Sequence, residues 1–101
     1  MTNKTFWNAR PTLRDKTVKV LFRVVRIAEV NDLNDIARCV RRTLLHIARN
    51  DLSFARDELF FVVEHCDTTI ANGADSEILA ATAIKANCEE ILKNDLTSAR
   101  T

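Results

Sequence analysis

Apolar residues recur along most of this chain at intervals of three and four, and short polar clusters interrupt them. That period belongs to helices with one buried face. The interruptions are Asn31-Asp32-Leu33, Asn50-Asp51-Leu52, Asn72-Gly73-Ala74-Asp75 and Asn94-Asp95-Leu96, which begin 19, 22 and 22 residues apart. Each interval is one helix plus a tight turn, so the pattern predicts four helices over about 13–30, 32–49, 52–72 and 75–93. Asn and Asp are expected to act as N-caps, because their side-chain oxygens accept from the free N–H groups of a first turn. Gly73, the only glycine, falls where a C-cap would use a positive φ. Thr12-Leu13-Arg14-Asp15, after Pro11, resembles a capping box with Asp in place of Glu.

The first helix has a rival reading. Val18, Val20, Phe22, Val24, Val25 and Ile27 are strand-prone. Charge spacing decides for helix: Lys16, Lys19, Arg23 and Arg26 lie 3, 4 and 3 apart, one narrow stripe at 100° per residue. In the second helix Leu33, Ile36, Ala37, Val40, Leu44 and Ile47 form the core row. Arg38, Arg42 and Arg49 lie opposite, with Leu45 among them and Arg41 beside them. The third presents Leu52, Ala55, Leu59, Val62, Cys66 and Ile70 inward, leaving Phe54, Phe60 and Phe61 outside that row beside Asp57 and Glu64. The fourth places Ala81, Ile84, Cys88, Ile91 and Leu92 inward.

Connections of two or three residues force antiparallel neighbours, so the expected fold is an all-α, single-domain, antiparallel four-helix bundle. It is expected to span 1–101, with flexible arms at about 1–11 and 95–101; Phe6 and Trp7 in the first arm should pack on the bundle or on a partner. At 101 residues, 47% apolar and 29% charged, the chain can bury a core without staples. One glycine and one proline argue against an all-β fold. No apolar run is long enough to span a membrane. Cys39, Cys66 and Cys88 are odd in number and form no CxxC, and the first residues carry no apolar signal core. A reducing cytoplasm is expected, with the thiols as small buried hydrophobes.

The near-neutral total, +1, hides a division. Residues 1–50 carry eleven basic against four acidic residues, a net +7; residues 51–101 carry four against ten, a net −6. A polarised surface of this kind steers and orients association. The basic residues Lys19, Arg23, Arg26, Arg38, Arg41, Arg42 and Arg49, with Leu45, are the candidate protein-binding face, for a protein partner of acidic character. Phe54, Phe60 and Phe61, left off the core row, are the candidate homodimer interface. Nucleic acid is the alternative ligand for the arginines of the second helix, against which stand the near-zero total charge and the lack of stacking aromatics beside them.

Enzyme signals are sparse. No GxGxxG, P-loop, HExxH or GxSxG occurs, and neither His46 nor His65 has a second ligand at i+3 or i+4, so no metal, cofactor or small-molecule substrate is expected. Arg41-Arg42-Thr43-Leu44-Leu45-His46 is similar to the Arg-x4-His spacing of HEPN ribonucleases, which are also small helical bundles. The resemblance implies Arg41 on phosphate charge and His46 in proton transfer. The usual polar residue after the arginine is Arg42 here, and the pattern sits in the second helix rather than the last. The expectation is therefore a non-enzymatic, cytoplasmic protein-binding regulator or inhibitor, of the kind found as bacterial or phage immunity or anti-activator proteins. A nucleic-acid-binding regulator is second and a HEPN-like ribonuclease third.

Overall fold

The computed structural model describes residues 11–96, with side chains from Asp15 onward. Four helices follow one another: α1 (Pro11–Val30), α2 (Asn34–Ala48), α3 (Leu52–Asn72) and α4 (Asp75–Asn94). Each packs against its neighbours in sequence and α4 closes onto α1, so α1 and α3 occupy opposite corners of an all-α bundle. The strand-prone run in α1 is helical because helix geometry brings Thr17, Leu21, Val24, Val25 and Ala28 onto one buried stripe. A two-residue period would split that set between two faces. Burial outweighs the small intrinsic penalty of β-branched residues in a helix.

The core is built from Leu21, Val24, Val40, Ile47, Leu59, Val62, Ile84 and Leu96, all sealed from solvent. The predicted rows hold; Leu44 and Ile70 are only half-buried at its margin. Ala28, Ala55 and Ala81 are fully enclosed, which lets the backbones approach closely. Leu96 is buried, and Asp95 accepts a 2.6 Å hydrogen bond from the Thr17 hydroxyl. The segment expected to be an arm from 95 therefore begins as part of the bundle. The expected packing of Phe6 and Trp7 lies outside the described residues.

The turns depart from the predicted capping. α1 starts at Pro11, so Thr12 stands inside the helix, and α2 starts at Asn34 rather than Asp32. Leu33 and Asp51 hold the N-cap positions of α2 and α3 without a side-chain cap bond. The Asn-Asp pairs end helices instead. Asp32 (φ 59°) and Asn50 (φ 62°) are left-handed. Leu33 N–H donates to Ala28 C=O at 2.8 Å and Asp32 N–H to Glu29 C=O at 3.1 Å; Asp51 and Asn50 repeat the arrangement on His46 and Ile47 at 2.8 and 2.9 Å. These are Schellman ends with Asp and Asn where glycine is usual, residues whose short polar side chains tolerate that conformation.

Gly73 is not at a positive φ; its backbone is extended, at φ −83° and ψ 173°. A Cβ there would lie 2.7 Å from the Thr69 carbonyl oxygen and 3.1 Å from Glu77 Oε1, the carboxylate that accepts from Ala74 N–H at the start of α4. Gly73 serves close approach. Gly73→Ala is thus expected to cost about 1–3 kcal/mol, whereas Asp32→Gly should gain about 0.5–1 kcal/mol by relieving a left-handed L-residue. Urea denaturation of the two variants beside the native chain checks both signs.

Candidate docking surface

The faces turned outward follow from the same helical arithmetic as the core. Along α1, Lys19, Phe22, Arg23, Arg26 and Val30 are all exposed on the side away from the bundle, Phe22 at 61% and Val30 at 76%. Beside them Arg23, Arg26, Ile27, Val30 and Asn31 line a shallow groove. On α2, Arg38, Arg41, Arg42, Leu45 and Arg49 share the exposed face predicted for them. Aromatic side chains set among arginines are the usual composition of interface anchors, and Phe22 beside Arg23 and Arg26 has that make-up.

The cations are not equivalent. Arg41 bridges to Glu29 of α1. Arg42 reaches across to Glu58 of α3, 3.3 Å from Nε to Oε1, and its Nη2 donates to Cys39 Sγ at 3.5 Å. Burial and the nearby Glu58 push the Cys39 thiol above its ordinary range. Arg38 pairs with Asp35 one turn earlier, at 3.6 Å. The Arg38 and Arg41 pairs are exposed and contribute little stability each, while Glu58 in the Arg42 pair is partly buried; together they commit three of the predicted arginines to partners within the bundle. Lys19, Arg23, Arg26 and Arg49 have no ion pair among the described residues. The charge best placed for an outside partner is therefore centred on α1, around Phe22, which the sequence marks only as one of the strand-prone residues of the first helix. The signal was present: Phe22 lies at i+3 from Lys19 and i−4 from Arg26.

The opposite corner carries the reverse sign. Phe54, Asp57, Phe61 and Glu64 are exposed on the outer face of α3, the phenyl groups at 60% and 53%. Phe60, also exposed, is covered on one side by the Arg56 guanidinium, 4.9 Å from the ring centre. The aromatics assigned to an interface thus stand outside the core, on a helix that adjoins the basic face of α2 and lies diagonally across from α1.

Arg41 and His46 are not brought together. Five residues apart, they diverge by about 140° around the helix. Arg41 turns toward α1, while the His46 ring stacks on Phe54 of α3 with 5.6 Å between centres. Among the described residues no group of three or more His, Cys, Asp or Glu side chains could hold a metal ion, and no helix is long and apolar enough to cross a membrane. The three thiols are buried and unpaired. No family model matches the chain, and neither a curated protein nor a solved structure gives a significant match.

Proposed function

We propose that this chain is a non-enzymatic protein-binding regulator or inhibitor whose docking surface is the outer face of α1, extended by Leu45 and Arg49 of α2. The observation that carries the reading is the exposed Phe22 set among Lys19, Arg23 and Arg26, cations with no ion-pair partner among the described residues. Such a surface gains little by facing water: the phenyl ring is hydrated at a cost, and the cations supply orientation rather than fold stability. The complementary partner is a protein surface with carboxylates around an apolar pocket. Glu90 and Asp95 border α1 only on the side of Lys16, Thr17 and Val20, and Glu29 is taken up by Arg41, which leaves Lys19, Arg23 and Arg26 as the charges around Phe22.

Capture of partners on the tagged chain from host lysate, with and without nuclease, tests the reading. A stoichiometric acidic protein surviving nuclease is expected. Loss of everything captured on nuclease treatment would overturn it and transfer Lys19, Arg23, Arg26 and Arg49 to phosphate binding, which would also weaken steeply and log-linearly with salt.

A further inference from the structure

The two outer corners match each other in spacing as well as in sign. On α1, Lys19, Phe22 and Arg26 fall within an arc of about 60° and are all exposed. On α3, Asp57, Phe61 and Glu64 fall within an equally narrow arc and are all exposed. Lys19 and Arg26 are seven residues apart, as are Asp57 and Glu64, a rise of about 10.5 Å in each helix. Phe22 follows the first cation by three residues, and Phe61 precedes the second carboxylate by three. Laid antiparallel, the helices bring Lys19 level with Glu64, Phe22 with Phe61 and Arg26 with Asp57. A shared seven-residue repeat is the spacing at which two helices interlock side chains along their length.

We propose that the outer face of α1 in one copy of this chain packs antiparallel on the outer face of α3 in a second copy. The proposal rests on the reading of α1 as a docking surface and names an occupant for it. Charge complementarity selects this pairing over the symmetric ones. Placing α3 on α3 would set Asp57 and Glu64 against their own kind, and α1 on α1 would do the same with Lys19 and Arg26; like charges across an interface oppose association. Because α1 and α3 stand at opposite corners, one copy covers only one of the two faces. The contact is heterologous, and association continues into a ring or an open chain. A copy docked on α1 hides Phe22 and its cations, so self-association and capture of an outside acidic partner compete.

Sedimentation velocity of the full chain across a wide concentration range provides the test, using two charge-reversed variants: Lys19→Glu with Arg26→Glu, and Asp57→Lys with Glu64→Lys. All four positions are exposed, and circular dichroism confirms that each variant keeps its helix content. The native chain should associate with rising concentration. Association should weaken when the Debye length falls from about 10 Å at 0.1 M salt to about 3 Å at 1 M. Each variant alone should associate about 100-fold more weakly, because like charges then face each other. An equimolar mixture of the two should recover association, since every face again meets its opposite. A native chain that stays monomeric, variants that associate as the native chain does, or a mixture that fails to recover would each overturn the proposal. Capture from lysate separates this failure from that of the docking surface itself: the Asp57→Lys, Glu64→Lys variant should still retain the outside partner, and the Lys19→Glu, Arg26→Glu variant should lose it, whatever the state of self-association.

Discussion

Leu59→Ala is expected to lower stability by about 2–5 kcal/mol, a fall in melting temperature of roughly 10 °C or more for a domain of this size. Phe61→Asp, two residues away on the same helix, is expected to stay within about 0.5 kcal/mol of the native chain. The contrast comes from where each side chain points. Leu59 is fully enclosed between α3 and the facing helices, so its removal forfeits transfer energy and leaves a cavity. Phe61 is half-exposed at 53% and gains little from the bundle, so a carboxylate there meets water. Thermal melts at low protein concentration, where self-association makes no contribution, check both. A Phe61→Asp penalty comparable to that of Leu59→Ala would place the phenyl ring in the core and remove the aromatic face of α3.

Raising the pH above 9 is expected to destabilise the fold steeply. Burial pushes the Cys66 thiol from about 9 up to about 12, with nearby Asp67 adding to it. Burial, then Cys66, does the same for Cys88. In the unfolded chain both thiols lose their protons near pH 9, while in the folded chain they keep them. The stabilising effect of the buried, protonated thiols is therefore complete below pH 9 and lost progressively as the pH rises toward 12. Each thiol contributes a slope of about 1.4 kcal/mol per pH unit in that window. Such slopes are large beside a total stability of about 5–15 kcal/mol, so the fold should be markedly less stable at about pH 11 than at about pH 8. Lys85, whose ammonium is held protonated by a 2.6 Å contact with Asp67, adds a loss only above its ordinary range. Urea denaturation between pH 8 and 11 measures the slope, and Cys66→Ala with Cys88→Ala should flatten it. Equal slopes with and without the thiols would show that Cys66 and Cys88 do not carry the alkaline loss of stability.

The helices and their inward faces were legible because each core row repeats at the helical period. Leu52, Ala55, Leu59, Val62 and Cys66 identify one side of α3 with no knowledge of its neighbours, and all five are buried. The polar punctuation was legible as position but not as mechanism. The same tripeptide works in two registers: Asp32 is the left-handed residue in the first and Asn50 in the second. Which of two adjacent residues turns left-handed depends on where the preceding helix closes its last hydrogen bonds, and the tripeptide itself does not encode that. Glycine after a helix most often marks a left-handed cap, but the constraint on Gly73 is the nearness of the Thr69 carbonyl. The candidate surface was half legible. The arginines of α2 do share an outward face. That Arg41 and Arg42 meet Glu29 and Glu58 depends on the axial register between helices, which no periodicity within one helix reveals. The apolar arc of α1 was too wide to show which sector would be left to solvent, and only the assembled bundle leaves Phe22 outside.

On the function proposed here, the outer face of α1 binds a protein. The most direct test is quantitative capture from nuclease-treated host lysate on the native chain and on a variant carrying Lys19→Glu, Arg23→Glu and Arg26→Glu, with circular dichroism confirming that both are folded. An acidic protein should be retained by the native chain and depleted about 100-fold on the variant, because reversing the charge sets like against like around Phe22. Equal retention of the same protein on both would contradict the proposed function.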